Sequence, residues 1–312
     1  MAEAVRPRRT GLRKGIYILP NLFTSASLFS GFYGIVSSLK GHALATTLSA
    51  LRATGVNEQA VESFQGGTGA VSHYYEVAAW AVLASALFDS MDGSVARLTN
   101  TQSEFGAEYD SLADLVAFGV GPAVLMYSWA LEPFSKFGWM ACFLYMACAA
   151  LRLARFNVQS GDVEKKSFQG LPSPGAAAVV ATTVLFYIFL GNWDGDSKPL
   201  RWLIERNVLE VPHWVFLAIT LGAGLMMVSN VRYRSSKDLD PLKRVPLLTV
   251  LLFILVIMSI AAQPHIALFT IVWIYFLSGP VEIFLFYRTR KLGAKSAQVD
   301  LYADDDANGD DK

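Results

Sequence analysis

The sequence predicts an all-α fold, a polytopic bundle of transmembrane helices. Three observations predict it. Of 312 residues, 53% are hydrophobic and only 17% are charged, with a mean hydropathy of +0.38. That is too apolar for a soluble domain of this size. Apolar stretches recur along the chain, each near the ~20 residues that cross a bilayer as a helix. No stretch alternates apolar and polar residues for long enough to suggest barrel strands.

About eight spans are expected, at roughly 16–37, 74–96, 108–130, 136–157, 174–191, 212–230, 246–262 and 266–287. They divide into a six-helix core and two C-terminal helices. The expected boundaries are a basic tail (1–15), the core (16–230), a C-terminal transmembrane hairpin (231–290) and an acidic, solvated tail (291–312). The first span follows Arg6, Arg8, Arg9, Arg13 and Lys14, as a secretory signal would. Its apolar run is long, carries Pro20 and Asn21, and precedes seven more, so it reads as an uncleaved helix. Its Pro20-Asn21-Leu22-Phe23-Thr24 segment offers Asn and Thr side chains for a ligand or a neighbouring helix. A long outside loop is expected over 40–73, containing Gly66-Gly67-Thr68-Gly69.

The second and third spans carry the chemistry. Asp89 and Asp92 are i,i+3, and Asp110 and Asp114 are i,i+4, so each pair shares a helix face. Gly93 and Gly106 flank the link between them and are expected to let the chain turn. Carboxylates in or near a bilayer face a polar cavity and need a partner. Four without an equal number of nearby bases point to metal ions, and hard oxygen ligands suit Mg²⁺ or Mn²⁺. Two ions roughly 3.5–4 Å apart would clamp a phosphoryl group. Arg97 adds a cationic fork for a phosphate oxygen. The bland alternative is two capped, solvated helix ends.

In the fourth span, Cys142 and Cys148 are about 9 Å apart by helical rise, beyond disulfide reach, and read as packing residues. Arg152 and Arg155 at its end are i,i+3. They either snorkel to lipid headgroups or hold a carboxylate or phosphate. Gly170-Leu171-Pro172-Ser173-Pro174 reads as a rigid entry to the fifth span. Gln263, Pro264 and His265 alone join the last two spans, as in a tight hairpin.

Charge sets orientation. With the N-terminus inside, twenty Lys and Arg fall on inside segments and six outside. The bias places both termini and the aspartates in the cytoplasm. Net charge is zero, so no bulk basicity points to nucleic acid.

The motif Asp89-x-x-Asp92-Gly93-x-x-Ala96-Arg97, then eight residues, then Gly106-x-x-x-Asp110-x-x-x-Asp114 resembles the signature of the CDP-alcohol phosphatidyltransferases. Residues 107–122, Arg152-Leu153-Ala154-Arg155-Phe156-Asn157 and 170–174 are similar to the bacterial membrane-integral CDP-diacylglycerol–serine O-phosphatidyltransferases. The resemblance implies CDP-diacylglycerol and L-serine as substrates, membrane lipids as partners, a bacterial inner-membrane location and a homodimer. It implies Asp89, Asp92 and Asp110 as metal ligands and Asp114 as general base beside them. It places Gly93, Ala96, Arg97, Gly106, Asn21 and Thr24 around the CDP-diacylglycerol, and Arg152 and Arg155 at the acceptor. Glycerol 3-phosphate or an inositol phosphate would also want the arginines. A divalent-cation transporter would use intramembrane aspartates too. Against it, the aspartates cluster at one edge, Arg97 would repel a cation, and no inverted repeat of broken helices is visible. A non-catalytic lipid-binding protein would not need four carboxylates.

Overall fold

The first expected span is only part of a 42-residue helix, α1 (Leu12–Ala53). The computed structural model describes residues 12–99, 103–159, 170–191, 211–231, 233 and 246–282. The basic tail before residue 12, Lys165 and Lys166, most of the 231–245 loop and the acidic tail lie outside the described residues.

The long outside loop expected over 40–73 is instead mostly helical. After α1 come α2 (Glu58–Ser63), a 3-10 turn (Phe64–Gly66) and α3 (Gly67–Thr99). Residues 43–53 are rich in Ala and Leu, which form helix whether or not lipid surrounds them. Asn57 caps α2, its side chain accepting from the Gln59 N–H at 3.1 Å. Arg52 then pairs with Glu58 and Glu62, each at 3.0 Å.

Helices α1 and α3 run antiparallel, joined by small polar residues. Ser27 donates to the Ser85 carbonyl (3.0 Å), Ser30 to Ala81 (2.8 Å) and Ser37 to Tyr74 (2.8 Å). Between them, a Cβ on Gly34 would stand 3.2 Å from the Ala78 carbonyl oxygen. Small residues permit this approach, and within lipid it is packing and interhelical hydrogen bonds that hold helices together.

The third expected span is a continuous helical run in several registers. It comprises α4 (Glu104–Asp114), a π-helical stretch (Leu115–Val120), α5 (Gly121–Met126), a second π stretch (Tyr127–Leu131) and a 3-10 turn (Glu132–Phe134). Its proline-disturbed carbonyls find partners on other helices. Four residues beyond Phe118 stands Pro122, which has no N–H, and the buried Tyr145 hydroxyl donates to the Phe118 carbonyl at 3.1 Å. Five residues beyond Ser128 stands Pro133, and Tyr75 donates to the Ser128 carbonyl at 2.7 Å. Where water is excluded, such orphans must be satisfied within the protein.

Five more helices complete the described chain. The first four are α6 (Lys136–Gln159), α7 (Ser173–Gly191), α8 (His213–Val228) and α9 (Pro246–Ala262). The fifth, α10 (Pro264–Glu282), follows the single non-helical residue Gln263. No strand occurs among the described residues. Cys142 and Cys148 are buried and free, as packing residues should be.

Among the described residues, five helices are long and apolar enough to cross a membrane, against about eight spans expected along the whole chain. They are Pro20–Ala53, Glu104–Phe134, Lys136–Val158, Ser173–Gly191 and Pro264–Glu282; His213–Val228 and Val250–Ala262 are apolar but shorter. Helix α3 has the length, at 33 residues, but carries Glu76, Asp89 and Asp92 among its apolar side chains.

Candidate functional site

The end of α3 and the first three turns of α4 build the site. Asp89 and Asp92 lie in the last turns of α3. Ser103 then starts α4, its extended backbone (φ −134°, ψ 150°) placing its hydroxyl to accept from the Gly106 N–H at 3.0 Å. That cap sets the phase of α4, which turns Asp110 and Asp114 toward α3.

Gly93 and Gly106 do not make the turn, contrary to the expectation from sequence. Both lie inside helices, Gly93 within α3, which runs on to Thr99, and Gly106 within α4, which starts after Ser103. Gly106 serves close approach instead. A Cβ there would stand 3.4 Å from Asn21 Oδ1 and 3.0 Å from Ser103 Oγ. Gly93 lies under the Arg97 side chain, with a guanidinium nitrogen 3.7 Å from where its Cβ would be.

The two pairs meet. Carboxylate oxygens of Asp89, Asp92 and Asp110 all lie within 4.8 Å of one another. Asp110 comes within hydrogen-bonding reach of Asp92, and Asp114 of Asp89. Asp92 is 5% exposed, and Thr24 Oγ1 sits 2.7 Å from its Oδ2. Thr24 thus meets a motif carboxylate directly. Ser25 Oγ and the Tyr109 hydroxyl, 2.9 Å apart, tie the same part of α1 to α4.

This trio fits a divalent cation. Three ionised carboxylates this close repel by roughly 3 kcal/mol per pair at the effective dielectric of about 20 suited to protein sites. Asp110 Oδ1 is buried with no hydrogen-bond partner among the described residues, so an acceptor stands ready for a ligand. The donors are all hard oxygens. Asp114 stands outside the trio, which is narrower than the four-carboxylate set expected from spacing.

Arg152 is the described cation facing Asp114. Its Nη1 donates to Ser173 Oγ at 3.2 Å, so the Arg152 and 170–174 segments converge. The 170–174 segment is itself pinned. The Gly170 N–H donates to the Val231 carbonyl (2.8 Å) and the Leu171 N–H to Met226 (2.9 Å). Gly170 has φ +87°, and a Cβ there would run into the Met227 carbonyl. Arg155 is half-buried on the same helix, and Arg97 is exposed beside Ser94 (3.4 Å). The Ala96 side chain lies outside the described residues. Ser173 and Thr24 are the partners that spacing alone does not reveal; only the S-P and P-N-x-x-T contexts hint at them.

The family model for CDP-alcohol phosphatidyltransferase matches residues 17–204. The chain is 33% identical over 277 residues to the CDP-diacylglycerol–serine O-phosphatidyltransferase of Helicobacter pylori (strain J99), covering 86% of this chain and 93% of that one. It is 30% identical over 232 residues to the protein so named in Mycobacterium leprae, covering 72% and 70%. It is 32% identical over 218 residues to that of Saccharomyces cerevisiae, covering 68% of each. With the aspartate motif complete and the match running from α1 past α7, the chain belongs to the CDP-alcohol phosphatidyltransferase family.

Proposed function

We propose that the protein transfers the phosphatidyl group of CDP-diacylglycerol to L-serine and releases CMP. The observation that carries this is the meeting of Asp89, Asp92 and Asp110, with Asp114 and Arg152 beside them, in a chain similar over most of its length to serine O-phosphatidyltransferases. Asp89, Asp92 and Asp110 hold Mg²⁺ or Mn²⁺, and Asp114 borders a second ion. When bound, the metal polarises the phosphoryl oxygens and offsets charge on the departing nucleotide.

The residues divide the remaining work. Asp114 takes the proton of the serine hydroxyl. The serine oxygen forms a bond to the phosphorus bearing diacylglycerol, and the bond from that phosphorus to CMP breaks. Arg97 holds a phosphate oxygen, and Gly93 lets backbone approach the nucleotide. Ala96, Gly106, Asn21 and Thr24 complete that side, Thr24 by orienting Asp92. Arg152 and Arg155 hold the serine carboxylate. The six-helix core spans 16–230, followed by a 231–290 hairpin and flanked by the two tails. The proposed setting is a homodimer in the bacterial inner membrane, with site and termini cytoplasmic as the basic bias favours.

The test is acceptor choice. Purified protein receives CDP-diacylglycerol with Mg²⁺ or Mn²⁺, then L-serine, glycerol 3-phosphate or inositol phosphate in turn, with and without chelator. Serine should release CMP, chelation should stop it, and added metal should restore it. Use of glycerol 3-phosphate with serine ignored would overturn the acceptor but not the reaction class. Full turnover in excess chelator would overturn the metal.

A further inference from the structure

Helix α10 lies beyond the residues that the family model matches, yet it reaches the site. Near its start, His265 Nε2 stands 3.5 Å from Glu76 Oε1 on α3, and its ring stacks on Phe189 at 5.0 Å. Tyr275 follows His265 by ten residues, about 15 Å of helix, and Asp89 follows Glu76 by thirteen, about 20 Å. Tyr275 therefore comes within about one helical turn of the Asp89 layer. There its ring edge lies 3.6 Å from where a Cβ on Gly175 would stand, and its phenol faces the charge of Arg152. The ring is braced from behind. Tyr233 packs against it at 5.4 Å, and the Tyr233 hydroxyl donates to the Phe276 carbonyl at 3.1 Å.

Arg152 is only partly engaged. Nη1 donates to Ser173, but Nε is buried with no partner among the described residues. A buried guanidinium N–H without an acceptor is costly, so an acceptor group belongs beside it. Ser173 bonds the same guanidinium, Tyr275 packs beside Gly175 two residues further on, and Asp114 and Tyr275 both interact electrostatically with Arg152.

We propose that Tyr275 is a specificity-determining residue of the acceptor pocket, its hydroxyl donating to the same amino-acid carboxylate that Arg152 holds. Its ring walls the pocket beside Ser173 and Gly175. The inference rests on the serine transfer proposed above and adds the C-terminal helix to that site.

The test is serine dependence of CMP release by the purified full chain at saturating CDP-diacylglycerol. Tyr275→Phe removes the hydroxyl and keeps the ring. Losing a hydrogen bond to a charged group should raise the serine KM by about 10- to 150-fold. The CDP-diacylglycerol KM and kcat at saturating serine should stay close to wild type. Tyr233→Phe, which loses only the brace, should leave the serine KM much less affected. If the Phe variant fails to fold, Tyr275→His, which keeps a ring donor, should fold and retain part of the serine affinity. A wild-type serine KM in Tyr275→Phe, or a fall in kcat with KM unchanged, overturns the inference. Wild-type protein that ignores serine fails the underlying reading instead, and is seen before any variant is made.

Discussion

The helical run Glu104–Phe134 and helix α10 are nearly equal in hydropathy, yet 56% of the apolar window is buried inside the protein in the first and 11% in the second. Hydropathy measures exclusion from water, and lipid tails satisfy it as well as a protein core does. What separates the two is side-chain size and backbone register. The first run buries Ala117, Gly119, Gly121 and Ala123, and a Cβ on Gly31 of α1 would stand 2.6 Å from Ala117 Cα. Helix α10 instead leaves Ile271, Ile274, Leu277 and Val281 at least 40% exposed, and turns Phe276 inward. The buried run is more than half enclosed by protein and bears two of the four carboxylates. The exposed helix touches the core along one face, the face that bears Tyr275.

The largest test falls on the buried run. Asp114→Asn should lower CMP release by about 10²–10⁴-fold while CDP-diacylglycerol still binds, the range typical of a lost general base. A near wild-type rate would remove Asp114 from that role, and lost nucleotide binding would make it mainly a metal ligand. A smaller effect separates the two helices directly. Leu125 is fully buried and Ile274 is 66% exposed. Leu125→Ala should cost about 2–5 kcal/mol in detergent unfolding, and Ile274→Ala a small fraction of that. Equal losses would mean that α10 packs as tightly as the site-bearing run. The gentlest probe is cysteine labelling from the outside, which asks which membrane face the buried run turns its carboxylates toward. A cysteine replacing exposed Gln59 should react, and one replacing Ser236 should not; the reverse pattern inverts the orientation. Gly67 is a poor probe position, since it has φ +57° and Glu62 lies against it.

The carboxylates were legible because helical periodicity converts i,i+3 and i,i+4 spacing into shared faces, and the structure joins those faces. The roles of Gly93 and Gly106 were not. Glycine between two helices reads as a turn, but here Gly106 makes room for Asn21, a contact 85 residues away in sequence. The extension of α1 to Ala53 was hidden by falling hydropathy, which does not mark a helix end. The serine and glycine repeat of α1 was in plain view, at Ser27, Ser30, Gly34 and Ser37, but its partners are carbonyls and carry no side-chain signature. Tyr275 offered no signal, because its relation to Arg152 exists only after α10 packs.

The serine contacts between α1 and α3 make α1 a ruler whose zero lies far from the chemistry. Thr24 sits one turn beyond Ser27, the last rung, and meets Asp92 at 2.7 Å. Deleting one residue between them would leave every rung in place and rotate Thr24 by about 100° around the helix. Composition, hydropathy and motif would all survive such a deletion, and the carboxylate would lose its orienting hydroxyl. Chain length in this part of α1 is therefore under tighter constraint than residue identity, and insertions or deletions should be tolerated only beyond the buried Leu48, toward the α1–α2 link.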